Sequence, residues 1–157
     1  MTDDSTTDAS SAPFASQLTA AGVPPRLWPM LSSHGVGTLV EKLGIVFTDM
    51  EVERVGATMP VGGNTQVVGL LHGGATAALA ETLGSFAAAL HAAGRARPVG
   101  VDLNITHHRG ATDGSVRGLC TPLHLGRSST SHLIEVFDEA GRRIATARIT
   151  NQLLTPR

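Results

Sequence analysis

From Ala75 to Ala93 the chain is rich in Ala and Leu, contains no proline, and spreads its apolar residues over nearly every helical angle. Ala and Leu are among the best helix formers, so this stretch predicts the one long helix of the chain. A helix that is apolar all round has to be enclosed on most sides. Gly94 marks its C-terminal stop. The rest of the chain must therefore build the enclosure.

The surrounding sequence reads as strands. Leu43–Thr48 and Val52–Met59, separated by a polar step around Asp49, predict an antiparallel pair. After the helix, Val99, Val101, Leu103 and Ile105 alternate with Gly100, Asp102, Asn104 and Thr106, the pattern of a half-buried strand. Runs near Ser115–Leu125, Thr130–Asp138 and Arg143–Leu154 follow, joined by segments too short for a parallel crossover, so they predict antiparallel hairpins. Pro122 marks a bulge or an edge in its run. Upstream, Phe14–Ala21 and Val36–Lys42 read as short helical pieces interrupted by Pro24-Pro25 and Pro29. No internal repeat is present. The expected fold is α+β, an antiparallel sheet wrapped around one long central helix.

Composition narrows the function. A length of 157 residues fits one domain, here 13–157, preceded by an acidic and expectedly disordered tail over 1–12. Asp3, Asp4 and Asp8 place −3 in that tail, so the net −1 leaves the body at +2. Eleven Arg and the single Lys42 are scattered, which gives no polybasic stripe for nucleic acid or anionic lipid. The aromatic share of 3% argues against stacking platforms for single strands. One cysteine, Cys120, excludes an internal disulfide and any multi-cysteine zinc site, and reads as a core filler. The N-terminus lacks the pattern of a secretion signal and no apolar run is long enough to span a membrane, so a soluble cytoplasmic protein is expected.

Two features carry chemistry. Glu81 lies in Ala77-Ala78-Leu79-Ala80-Glu81-Thr82-Leu83. It is either a carboxylate held in an apolar setting, which demands partners or a raised pKa, or part of a narrow solvated strip with Ser85 one turn on. Leu71-His72-Gly73-Gly74 opens the same helix, where backbone N–H groups lack internal partners and the dipole is positive. The glycines either make a tight turn or let another molecule approach those groups, and an oxygen gaining negative charge would be stabilised there. Glu81 follows His72 by nine residues, about 13 Å of helix, too far for contact in one chain. A symmetric pairing of helices would bring one chain's helix start to the other's Glu81.

Other candidates are weaker in isolation. Asn64 and Gln66, in the loop before His72, either orient a ligand or bond the backbone. His107 and Arg109 continue the parity of Val99–Ile105 to the strand end, where Arg meets phosphate or solvent. Gly126, Arg127, Ser128 and Ser129 form an anion cradle or an ordinary hairpin loop. His72, His107, His108 and Glu81 lack the compact spacing of zinc motifs. No nucleophile elbow, phosphate-binding P-loop or dinucleotide fingerprint is present.

Gly69-Leu70-Leu71-His72-Gly73-Gly74-Ala75, Leu79-Ala80-Glu81 and Gly84-Ser85 resemble the hotdog-fold acyl-CoA thioesterases. Val116-Arg117-Gly118, Pro122-Leu123-His124-Leu125-Gly126 and Phe137-Asp138-Glu139-Ala140-Gly141-Arg142 resemble the branch with the 1,4-dihydroxy-2-naphthoyl-CoA hydrolases of menaquinone biosynthesis and the 4-hydroxybenzoyl- and phenylacetyl-CoA thioesterases. The resemblance implies a hotdog fold and a homo-oligomer, dimer or homotetramer, with active sites at the dimer interface. It implies hydrolysis of aromatic acyl-CoA, with no metal and no cofactor, CoA being part of the substrate. Glu81 would be the nucleophile or general base, Gly73 N–H would polarise the thioester carbonyl, His72 and Gln66 would position the reacting groups, and Ser85 would assist. Arg109, His107 and the loop Gly126, Arg127, Ser128, Ser129 would bind substrate and CoA. The alternatives are a thioesterase for phenylacetyl-, benzoyl-type or medium-chain acyl-CoA, and a noncatalytic acyl-CoA sensor.

Overall fold

The computed structural model describes residues 14–155, so the acidic tail lies outside the described residues. Three short helices come first, α1 (Ala15–Ala20), α2 (Trp28–Leu31) and α3 (Thr38–Leu43). Strands β1 (Val46–Glu51) and β2 (Arg54–Pro60) lead into the long helix α4 (Gly73–Ala92). Strands β3 (Arg97–His107), β4 (Ser115–Leu125), β5 (Ser129–Phe137) and β6 (Arg143–Leu154) complete the chain. All pairings are antiparallel, and the six strands lie in the order β1-β2-β4-β5-β6-β3. The predicted sheet around one helix is therefore the fold. Among the described residues no helix is long and apolar enough to cross a membrane.

Side-chain periodicity sets the sheet. Along β5 the buried residues Thr130, His132, Ile134 and Val136 alternate with half-buried neighbours, and along β6 the buried Ala145, Ala147, Ile149 and Asn151 alternate with half-buried or exposed ones. These inner faces receive α4 through Leu79, Ala80, Leu83, Ala87 and Ala88. Small residues let the helix sit close to the strands. At Gly84 the approach is closest, because a Cβ there would collide with the Ile149 side chain. Phe86 extends from the helix to Phe47 of β1, with ring centroids 4.7 Å apart. Burying apolar side chains of this kind contributes about 1.5–3 kcal/mol each for the larger ones. Cys120 is such a core residue, and burial pushes its thiol up to about 12.

Three boundaries differ from the sequence reading. Leu43 ends α3 instead of starting a strand, because Gly44 takes a left-handed conformation with φ 67° and stops the helix. Asp49 lies within β1 opposite Gly56, beside a bulge at Phe47–Asp49, and the turn falls after Glu51. At the end of α4, Ala93 adopts the left-handed conformation with φ 48° ahead of Gly94.

The alternation of β3 is also broken, by a bulge between Gly100 and Asp102 in its pairing with β6. A bulge shifts the parity of a strand. Leu103 and Ile105 pack on the core as expected, but Val99 and Val101 are 39% and 58% exposed, and Gly100 turns toward α4 in their place. Pro122 sits at a further bulge, between Pro122 and His124 in the β4–β5 pairing, as its residue type predicted.

Polar side chains interrupt the core where β5 and β6 face α4. Thr130 and Asn151 are register partners, and His132 lies two residues along on the same face. Asn151 Nδ2 donates to Gly84 O at 3.3 Å. Thr130 Oγ1, Asn151 Oδ1 and both His132 ring nitrogens have no partner among the described residues. Burial, and then the charge of His91, lower the His132 pKa from 6.5 to about 4. The unfolded chain therefore binds a proton that the folded chain refuses, and stability falls as the pH drops from 6.5 toward 4. This component amounts to about 3 kcal/mol at pH 4. Urea unfolding of the wild type and His132→Leu at pH 7, 5.5 and 4.5 should show the wild type losing stability relative to the variant as the pH falls; parallel profiles would refute the assignment.

Candidate active site

The first part of the site is the start of α4. His72 is extended, with φ −69° and ψ 130°, and its Nδ1 accepts the Gly74 N–H at 2.8 Å. The ring is thereby held as a helix cap. Gly73 N–H has no acceptor among the described residues and points out of the helix with the positive end of the dipole behind it. Asn64 fixes the preceding loop: its Nδ2 donates to Leu43 O and Pro60 O at 2.9 Å each, and its carbonyl accepts the His72 N–H at 2.8 Å. Asn64 is thus a scaffold residue. Gln66 closes the next turn through its backbone, donating to Leu70 O at 2.8 Å and accepting from Gly69 N–H at 2.9 Å.

His107 and Arg109 come from the far end of β3 to the same place. A Cβ on Gly73 would lie 3.0 Å from His107 Nε2, so the glycine leaves room for the imidazole over the helix start. Arg109 Nη1 donates to Arg143 O at 2.8 Å. With Leu70, Thr76 and Ile144 these residues line a cavity of about 390 Å³. Its lining contains a guanidinium and a helix N-terminus but no carboxylate, a setting that favours negative charge.

Glu81 lies about two helical turns further along α4, half-buried. Ser85 Oγ donates to its Oε1 at 3.4 Å, which places both on the shared strip that the sequence allowed. Its other neighbour is backbone. A Cβ on Gly100 would lie 2.5 Å from Glu81 Oε1 and 3.7 Å from Oε2, so β3 passes directly against the carboxylate. Sequence reasoning counted Gly100 only as a polar step in the alternation. A glycine inside a strand, where it weakens pairing unless something approaches closely, was the available signal.

The loop with Gly126, Arg127, Ser128 and Ser129 lies at the other end of α4. His91 Nε2 is 2.9 Å from Gly126 O, and Leu153 N–H donates to Ser128 O at 2.8 Å. Arg127 and Arg95 line a cavity of about 380 Å³ there. A helix of 20 residues is about 30 Å long, so one chain does not bring this loop to Arg109. Nor does it bring His72 and Gly73 to Glu81. The expected site residues occupy three stations along one helix, and β3 beside them is a sheet edge carrying the exposed Val99 and Val101.

A model of the Thioesterase superfamily matches residues 68–145. The proofreading thioesterase EntH of Cronobacter sakazakii is 50% identical over 125 residues, which span 79% of this chain and 91% of that protein. EntH of Klebsiella pneumoniae is likewise 50% identical over 125 residues with the same coverage. Among solved structures, the thioesterase HI1161 of Haemophilus influenzae superposes with a TM-score of 0.73 at 33% identity, covering 82% of this chain and 88% of that one. A mutant of thioesterase PA1618 of Pseudomonas aeruginosa gives 0.74 at 32%, covering 83% and 93%.

The contact between Gly100 and Glu81 generates a prediction. Gly100→Ala should displace the carboxylate and lower kcat for thioester hydrolysis by on the order of 100-fold, with KM and Tm near wild type. An unchanged kcat would show that the space at Gly100 has no bearing on Glu81.

Proposed function

The chain belongs to the thioesterase superfamily and is an enzyme of that family, and from that premise we propose that it hydrolyses acyl-CoA thioesters at sites shared by two copies. The observation that best supports the reading is the pairing of one unoccupied N–H at Gly73 with one carboxylate, Glu81, on a single helix but out of mutual reach. A two-fold axis across the helices converts that separation into two equivalent sites. The noncatalytic sensor reading falls away, because the relatives at 50% identity are thioesterases.

In the proposed reaction the thioester oxygen faces Gly73 N–H of one copy, and Glu81 of the other takes a proton from the attacking water. A carbon–oxygen bond forms as the carbonyl pair moves onto oxygen. The oxyanion is held by Gly73 N–H and the helix dipole. Collapse of the intermediate breaks the carbon–sulfur bond, and CoA leaves as a thiolate that takes up a proton. His72 fixes the geometry of the oxyanion donor by capping the helix, and Ser85 orients the carboxylate. Gln66 orients the thioester group. Arg109, His107 and the Gly126–Ser129 loop take the phosphates and nucleotide of CoA. The alternative role of Glu81 as nucleophile passes through a mixed anhydride. Label found in Glu81 after a single turnover in ¹⁸O-water would establish the anhydride route, with water attacking the Glu81 carbonyl carbon.

For the acyl group we propose an aromatic acid, with 1,4-dihydroxy-2-naphthoyl-CoA of menaquinone biosynthesis as the leading candidate. The relatives' name favours a second reading, removal of wrongly formed thioesters. Thiol release from a panel of aromatic, benzoyl-type and medium-chain acyl-CoAs separates them. A kcat/KM that peaks on dihydroxynaphthoyl-CoA supports the first, and a flat profile supports the second.

Glu81→Gln should lower kcat by about 100- to 10,000-fold with KM within a few-fold; substantial turnover would remove Glu81 from the chemistry. Arg109→Ala should raise KM and spare kcat. The shared site is tested by mixing. Proline is accepted at the first position of a helix and removes the N–H, the extended His72 backbone tolerates a following proline, and its ring moves the His107 imidazole of the same chain aside. Gly73→Pro and Glu81→Gln chains should each be inactive, and an equal mixture exchanged to equilibrium should recover about a quarter of wild-type activity. No recovery despite exchange would place the site within one chain.

A further inference from the structure

The long helix meets the sheet largely through small, smooth side chains, with Ala80, Ala87 and Ala88 between Leu79 and Leu83. Apolar contacts draw a helix onto a sheet but are non-directional, so small rotations about the helix axis stay cheap. Rotation matters for Glu81. A helix with its side chains is about 10–12 Å across, so turning it by about 10° moves a carboxylate on its surface by about 1 Å. A misplacement of about 1 Å can slow a reaction on the order of 100-fold. We propose that Asn151 of β6 is a positioning residue for the hydrolysis: by holding the Gly84 carbonyl it sets the rotation of α4, and through it the place of Glu81 and Ser85.

The inference rests on the reading above of Glu81 as the reacting carboxylate. Three observations carry it. Among the described residues, Asn151 is the one strand side chain hydrogen-bonded to the backbone of α4, with Nδ2 donating to Gly84 O at 3.3 Å. It also acts where helix and sheet are closest. Ile149 and Asn151 are buried inward residues two apart on β6, and both reach Gly84. Ile149 bounds the distance between helix and strand, since a Cβ on Gly84 would collide with it. Asn151 adds a direction, because an amide N–H bonds a carbonyl oxygen over a narrow range of angles. Gly84 lies three residues after Glu81 and directly before Ser85, within the turn that brings Ser85 Oγ to Glu81 Oε1.

The third observation is that Asn151 does not suit a core. It is completely buried, and its Oδ1 has no partner among the described residues. A buried polar atom left unpaired destabilises a fold, and an apolar side chain would fill the position without that penalty. What Asn151 supplies in exchange is its amide N–H. The orientation of the amide follows from chemistry, because Gly84 O can only accept.

The test is a double-mutant cycle with benzoyl-CoA as substrate. Asn151→Leu removes the amide from a side chain of the same branched shape, and Asn151→Val, which suits a strand, repeats the test if the leucine variant folds poorly. Thr130→Val is the control, a buried register partner of Asn151 that makes no bond to α4. Asn151→Leu should lower kcat at least about tenfold with KM within a few-fold, and Thr130→Val should leave both near wild type. In a Glu81→Gln chain, Asn151→Leu should lower the residual kcat less than about twofold, because an effect routed through the carboxylate disappears with it. Equal losses with and without Glu81, an equal loss in Thr130→Val, or no loss in either Asn151 variant would overturn the proposal. A second readout needs no turnover. The ¹³C chemical shifts of the Gly84 carbonyl and the Glu81 carboxyl should both move in Asn151→Leu and stay in place in Thr130→Val; a Glu81 signal that does not move breaks the link to the site. Should Glu81→Gln be as active as wild type, or the wild type hydrolyse no acyl-CoA, the reaction assignment fails by itself, and the carboxyl shift still decides whether Asn151 holds Glu81 in place.

Discussion

The structure depends on burying a helix that has no strongly polar face. Twenty residues of α4, with Ala, Gly and Leu at most of the positions that meet the sheet, can leave water only if strands curve around them at close range. Small side chains permit the close range, and the larger residues of β2, β4, β5 and β6 fill the space between. The helix then becomes a rigid axis, and each functional group inherits its place from its position along it. His72 and Gly73 are at the start, Glu81 and Ser85 near the middle, and the Gly126–Ser129 loop beside His91 at the end.

That arrangement explains why the chemistry divides between chains on the proposed reading. An oxyanion donor at a helix start is strong because its N–H has no internal partner, and a carboxylate two turns away cannot reach the same carbon. Two antiparallel helices resolve the conflict without bending either one. Gly100 contributes from outside the helix. It lets the edge strand pass against Glu81, and its bulge turns Val99 and Val101 outward.

Much of this was legible in the sequence. The four later strands and the central helix follow from alternation, proline and glycine placement, and the run of Ala and Leu. Glu81 and His72-Gly73-Gly74 stood out because their residue types contradict their surroundings. The outward turn of Val101 was not legible, since a bulge changes parity without changing composition. Gly44 was readable as a helix stop but lay within an apolar run that resembled a strand. His132, Thr130 and Asn151 were invisible as core residues, because polar types at inward positions are recognised only once the register is known. Met30 and Leu31 belong to a proline-broken segment whose place against α4 is set by tertiary packing.

Cys120 shows what burial does beyond holding the core together. It is the chain's single cysteine, sealed between strands, with its thiol far less acidic than an exposed one. Thiolate is the reactive form, so the folded protein is nearly silent toward disulfide reagents and alkylating agents. A colorimetric thiol reagent added to the working enzyme therefore reports the sulfur released from substrate against almost no protein background. By the same logic, a cysteine introduced on the surface becomes a unique attachment point for a spectroscopic label.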